Sequence, residues 1–323
     1  MANIRSSVIA AALVLVGTVL LLGSPLQAQE KVVFASSTGG GIRLATDIIK
    51  AKNLDKKNGI DLDLKYFVGP KGIAAVVLGK VDTGYMSPLV AANQLAQDEH
   101  IVSFELTMDS HMSLLKQKGS PLKSLADLRG KRLGFTARAS SSWWSFRILL
   151  AQQGRKPEKD YKVIVGNLFA LKAFLLRKDV DAILMFEPFS TKMIVNGEAE
   201  QLLWYEDLWS KATNGVPFMF NTVASRKSWL DAHPKAARAL ARAYREARAW
   251  IVANPDEALK IGNKTLKIEN PKILEALKRR MLPIYKRQWD QELIDAGNWQ
   301  VKKAVELGIL GKKALSKPLF VKF

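Results

Sequence analysis

The 323-residue sequence contains no cysteine. That absence excludes disulfides, thiol nucleophiles and thiolate metal sites together. It also excludes the lipid-modified cysteine that tethers many exported proteins to a membrane. Histidine is nearly as scarce: His100, His111 and His233 are the only three, and no pair has metal-ligand spacing. There is no Gly-x-Ser-x-Gly elbow, no phosphate-binding loop and no Gly-x-Gly-x-x-Gly following a strand. Gly39-Gly40-Gly41 comes nearest and lacks the spacing. Internal repeats and low-complexity linkers are missing too, and after residue 28 no apolar run is long enough to cross a bilayer. Little is left for catalysis. No enzyme activity, metal or cofactor is expected.

What is present begins with the N-terminus. Arg5 precedes the uncharged run Val8 to Leu22, Gly23-Ser24-Pro25 breaks the helix, and Leu26-Gln27-Ala28 offers a cut before Gln29. These are the parts of a cleavable secretion signal over residues 1–28. With no disulfide and no lipid anchor, the mature chain is expected free in the periplasm of a double-membraned bacterium. Its composition, 48% hydrophobic and 24% charged, is that of a globular chain long enough for two domains. Cleavage removes only Arg5, so the formal charge falls from +19 to +18. The excess is spread along the chain. Its densest stripe, Arg238, Arg242, Arg245 and Arg248, lies opposite Leu240, Tyr244, Ala247 and Ile251 on a helix. This reads as a solvated helix face rather than a nucleic-acid surface, and a diffuse positive field of this kind attracts anions.

Short β-rich runs alternate with amphipathic helices, the pattern of an α/β protein with mainly parallel sheets. Strands are expected at 31–35, 61–68, 81–85, 113–117, 132–136, 162–165 and 182–186, with connecting strands at 101–109 and 216–225. Beyond these the chain is helical, with Pro234, Pro255 and Pro271 each near a helix start, where proline is favoured. Two crossings between two α/β units imply a cleft with a hinge behind it, and His111 falls at that hinge. His233, just before Pro234, is expected to cap a helix.

One feature recurs: a strand end followed by small hydroxyl or glycine residues at a helix start. It occurs at Ser36 to Gly41, at Gly69-Pro70, at Ser87-Pro88 and at Ala139-Ser140-Ser141-Ser142. Free N–H groups and the positive end of the helix dipole suit such ends to anions. The same serines could simply cap their own helices. Arg43 and Arg138 are candidates for added positive charge, and one of Trp143 and Trp144 for a cleft wall.

Three blocks carry a resemblance. The first is Phe67-Val-Gly69-Pro70 with Ala74, Ala75, Gly79-Lys-Val-Asp82-Thr-Gly84 and Ser87-Pro88. The second runs from Ser120-Pro121 through Leu125-Ala-Asp-Leu-Arg-Gly130-Lys131-Arg-Leu-Gly134 to Arg138-Ala-Ser140. The third is Asp179-Val-Asp181-Ala182-Ile-Leu-Met-Phe186-Glu187-Pro188-Phe189. In this order the chain resembles the periplasmic solute-binding proteins of ATP-driven nitrate, sulfonate and taurine importers, relatives of the thiamine-pyrimidine-binding proteins. The resemblance implies the type II periplasmic binding protein fold: two α/β lobes, each a mainly parallel sheet flanked by helices, joined by two hinge crossings. The expected division is 29–111 and 219–323 for the first lobe and 112–218 for the second. It further implies a cleft lined by Ser37, Thr38, Gly39, Gly40, Gly69, Ser87, Pro88, Ser140, Ser141 and Glu187, to which Arg138 is added. Ala139, Phe186 and Lys178 depart from the family's usual glycine, tryptophan and glycine. The implied partners are a small anionic organic solute, sulfonate- or taurine-like, and an inner-membrane ABC permease; no nucleic acid is expected, and the protein is expected to be a monomer. Nitrate, an aromatic carboxylate or a thiamine-related pyrimidine are the alternative solutes, and a thiamine-pyrimidine synthase-like enzyme is disfavoured by the export signal. Glu187 poses a question: a buried carboxylate beside an anion needs a cation or a donor between them, and the ammonium of a taurine-like solute would be one.

Overall fold

The computed structural model describes residues 29–323, so the expected export signal lies outside the described residues. The strands are β1 (Glu30–Ser37), β2 (Ile60–Phe67), β3 (Thr83–Met86), β4 (Ile101–Met108), β5 (Met112–Lys116), β6 (Arg132–Phe135), β7 (Lys162–Val165), β8 (Ala182–Phe186), β9 (Glu200–Trp204) and β10 (Asn221–Arg226). Between them run helices α1 (Gly40–Ala51), α2 (Leu54–Lys57), α3 (Pro70–Val77), α4 (Pro88–Gln94), α5 (Ser141–Gln152), α6 (Pro157–Asp160), α7 (Leu168–Leu176), α8 (Phe189–Val195) and α9 (Tyr205–Ala212). The C-terminal third adds α10 (Lys227–Ala232), α11 (Pro234–Ala253), α12 (Pro255–Leu266), α13 (Pro271–Arg280) and α14 (Gln291–Glu306).

Two five-stranded sheets form, in the orders β2-β1-β3-β10-β4 and β7-β6-β8-β5-β9. Each has three parallel strands, then one reversed strand, then a fifth that runs with the first three. The plan is the same twice, and each sheet is covered by helices, as parallel sheets require. This is the two-lobed α/β fold of periplasmic binding proteins. Residues 109–111 carry the chain from β4 into β5, and residues 213–220 return it from α9 to β10. The return strand starts at Asn221, later than expected; Pro217 lies in the irregular stretch before it and has no N–H to give a ladder. Behind the crossings α14 packs on both α4 and α5. One apolar cluster therefore joins Leu89 and Ala92, Phe146 and Leu149, and Val301 and Ala304.

The arginine stripe on α11 is only partly solvated, which corrects the expectation. Arg248 is 1% exposed, and its Nη1 donates to Glu105 Oε1 at 2.9 Å. Arg245 Nε donates to the other oxygen, Oε2, at 2.6 Å. Glu105 sits on the fully buried β4, so its charge draws the helix's cations inward. His233 lies between α10 and α11 but does not cap α11 with its side chain; its Nδ1 meets Glu30 Oε1 at 2.5 Å.

Candidate ligand-binding cleft

The loop after β1 and the residue that follows β8 lie close together across the two sheets. A Cβ built on Gly40, at the end of the β1 loop, would lie 3.7 Å from the backbone oxygen of Glu187, which follows β8. Gly40 has φ +76°, a conformation that favours glycine.

On the first lobe, the β1 loop is pinned by Thr38 N donating to Phe67 O at 3.2 Å and Gly39 N to Ser37 Oγ at 3.3 Å. Gly39 is the N-cap of α1, and no side chain caps the helix there. The first N–H groups of a helix have no intrahelical acceptor, so this end keeps donors to offer. Gly69, exposed and with φ +55°, heads α3, which is likewise without a side-chain cap. The Ser87 hydroxyl oxygen accepts from Val90 N at 3.2 Å, capping α4, and its own hydrogen is still free to donate. Ser87 is 4% exposed and Pro88 is buried behind it. Arg43 is occupied nearby: its Nε donates to Asp47 Oδ1 at 2.6 Å and its guanidinium lies 3.7 Å from the Tyr66 ring centre.

On the second lobe, Ser140 caps α5 by accepting from Trp143 N at 3.3 Å, and its hydroxyl donates to Ala137 O at 2.6 Å. Ser141 opens the helix half-buried. Asn167 caps α7, its Oδ1 accepting from Ala170 N at 2.9 Å. Arg138 is exposed, with Nη2 donating to Val163 O at 3.4 Å. Trp143 is 3% exposed in the core, packed edge-on against Phe135, and Trp144 is partly buried on the same cluster.

Glu187 is buried, and both its oxygens are taken. Oε2 accepts from Thr191 N at 3.1 Å, at the start of α8, and Oε1 accepts from Arg280 Nε at 3.2 Å. Arg280 ends α13, on the first lobe, and reaches across: Nε also donates to Thr191 Oγ1 at 2.8 Å and Nη2 to Gln201 Oε1 at 2.6 Å. Its guanidinium stands 4.4 Å from the ring centre of Trp204. Nothing in the sequence pattern singles out Arg280. A basic residue in the last turn of a helix reads as an ordinary partner of the helix dipole.

Behind the cleft, His111 packs against Phe186 and Phe220, ring centres 5.6 and 5.5 Å away, and its carbonyl accepts from Glu187 N at 3.0 Å. Phe186, one of the departures noted above, thus packs into the hinge. Burial pushes the His111 imidazole down to about 4. Two half-buried carboxyls lie in the same region. Burial raises Asp109 to about 6, and burial together with the charge of Asp109 raises Glu206 to about 8. Among the described residues there is no group of three His, Asp or Glu that could hold a metal ion, and no helix long and apolar enough to cross a membrane.

Two α/β lobes built on one plan, with uncapped helix ends on the first, have the architecture of the periplasmic binding protein fold. Residues 46–258 match the NMT1/THI5-like family, and the chain belongs to it. A protein of Brucella abortus, named as a binding protein, is 27% identical over 227 residues, 69% of this chain and 68% of its own length. The fold is similar to that of the periplasmic aliphatic sulphonate-binding protein SsuA of Escherichia coli, with TM-score 0.73 and 17% identity over 90% of this chain and 92% of that one. It is also similar to the periplasmic nitrate-binding protein NrtA of Synechocystis PCC 6803, with TM-score 0.65 and 16% identity over 90% and 86% of the two chains.

Proposed function

We propose that this protein is the solute-binding component of an ABC importer, capturing a small organic anion of the sulfonate type between its lobes and delivering it to an inner-membrane permease. The observation that carries the reading is the uncapped N-terminus of α1, set against the second lobe at Glu187. A sulfonate or carboxylate head would accept the free N–H groups of α1 and the spare hydrogen of the Ser87 hydroxyl. Thr38 and Gly69 would line the same side, and Arg138, Ser140 and Ser141 would close over it. Hydrogen bonds to a charged group contribute about 1.5–3 kcal/mol each, so several of them sustain micromolar binding after ordering costs. The sulfonate- and nitrate-binding structural neighbours support an anion. The positive excess of the chain, +19 in all, supports it as well.

In this reading the protein is a periplasmic monomer released by cleavage of residues 1–28, binds no nucleic acid and catalyses nothing. Residues 29–111 and 219–323 make its first lobe, and 112–218 its second. A thermal-shift screen of the mature protein tests it. A sulfonate at one hundred times its dissociation constant should add about 2.7 kcal/mol. If sulfonates, nitrate and carboxylates all left the melting temperature unmoved while a pyrimidine raised it, the anion reading would fall.

A further inference from the structure

We infer that Arg280 sets the charge type of the solute: it supplies the counter-charge to Glu187 from within the chain, so the cleft selects plain anions and rejects those that also carry an ammonium. The inference rests on the anion-binding reading.

Glu187 is the obstacle that any bound anion must meet. Its side chain is 0% exposed, and its backbone oxygen lies 3.7 Å from a Cβ built on Gly40 at the start of α1. An unpaired buried carboxylate there would repel the anion that α1 attracts. Only two cations could neutralise it, one brought by the solute or one belonging to the chain. The second lobe is built to receive the latter. Glu187, Thr191, Gln201 and Trp204 form a cradle of one carboxylate, two neutral oxygens and an aromatic face. Such a set matches a guanidinium, whose planar fork donates in several directions and stacks on rings. The first lobe fills it with Arg280, placed at the C-terminal end of α13, where the helix dipole favours a cation.

The arrangement leaves nothing for an ammonium. One oxygen of Glu187 is held by Arg280 and the other by the Thr191 N–H. A zwitterion arriving with its anionic head on α1 would bring a second cation against the guanidinium and strip water from its ammonium without a new acceptor. Because Arg280 and its cradle lie on opposite lobes, the neutralisation is complete only when the lobes close.

Calorimetric titration with a matched pair, ethanesulfonate and taurine, tests this, since the two differ only by the ammonium. The wild-type protein should bind ethanesulfonate at least tenfold more tightly. R280Q should shrink that ratio at least tenfold, because Glu187 then lacks its cation, and R280K should keep it above unity. E187Q, a near-isosteric change that does not depend on R280Q folding, should leave taurine the weaker ligand. Taurine binding the wild type as tightly as ethanesulfonate overturns the inference, as does E187Q turning taurine into the tighter ligand. So does an unchanged ratio in a folded R280Q. If neither these nor any other anion binds the wild type, the anion reading itself fails and takes the inference with it.

Discussion

The two lobes follow one plan and finish their helices differently. In each, a central parallel strand leads through a short loop into a 12-residue helix, β1 into α1 and β6 into α5. In the second lobe the helix ends at the cleft are filled by the chain's own side chains. Ser140 caps α5, Asn167 caps α7, and the Glu187 carboxylate takes the Thr191 N–H at the start of α8. In the first lobe Ser87 caps α4 in the same way, but α1 and α3 begin at Gly39 and Gly69 with no side-chain cap. Two halves alike in topology have thus divided the work. One leaves helix-end donors without side-chain acceptors, and the other spends its acceptors on its own backbone and on Arg280. Fold alone does not make a binding surface; what the helix ends have left unpaired does.

Filling the open end should break the contrast most sharply. At Gly39 a Cβ would meet nothing within 4 Å, and φ is −168°, extended backbone that any residue adopts. Gly39→Asp would place a carboxylate where the proposed anion sits. Anion affinity should drop about a hundredfold or more, roughly 2.7 kcal/mol. Stability should rise by about a few tenths of a kcal/mol, because aspartate caps and meets the helix dipole. Calorimetry and thermal melts measure both, and retained affinity in a folded G39D would show that α1 does not hold the anion.

The two serines sharpen the contrast on a smaller scale. Both cap a helix, so Ser87→Ala and Ser140→Ala should each cost about 1 kcal/mol of stability. Only Ser87 has a hydrogen to spare, because Ser140 gives its own to Ala137. S87A should therefore lose about tenfold in anion affinity, and S140A about threefold at most. The reverse order would assign the anion to the second lobe.

Much of this was legible in the sequence, and the misses share a cause. The strands at 162–165 and 182–186 fall as read, since short β-branched and apolar runs between turns admit few alternatives. Ser87 and Ser140 are N-caps, as the pairing of serine with a helix start implies. Strand β9 was not anticipated, because its half-buried residues Glu200–Trp204 carry no regular alternation. Arg248 read as solvated because its partner Glu105 lies 143 residues away on another element. Arg280 is hidden in the sequence for the same reason, its pairing with Glu187 spanning 93 residues. Helical and strand periodicity is local information; the charge partners that decide a site are not.

The smallest effect concerns the hinge that joins the lobes. Glu206, on α9 leading into one crossing, and Asp109, on the other, both have carboxyl pKa values raised by burial, to about 8 and about 6. Arg287 opposes both shifts, while Asp207 reinforces that of Glu206. A raised folded-state pKa favours the folded state below the unfolded value and loses that contribution as pH climbs through the folded one. His111, lowered to about 4, runs the opposite way: it contributes above about 6.5 and loses that contribution as pH falls. Between pH 4 and 6.5 the changes from Asp109 and His111 largely offset. Above that the loss from Glu206 dominates, so stability should fall from pH 6.5 to pH 8, by about 1 kcal/mol. Glu206→Gln should flatten this slope. Melting curves over the window decide it, and a wild-type stability that rises with pH there would mean that Glu206 keeps its charge in the closed hinge.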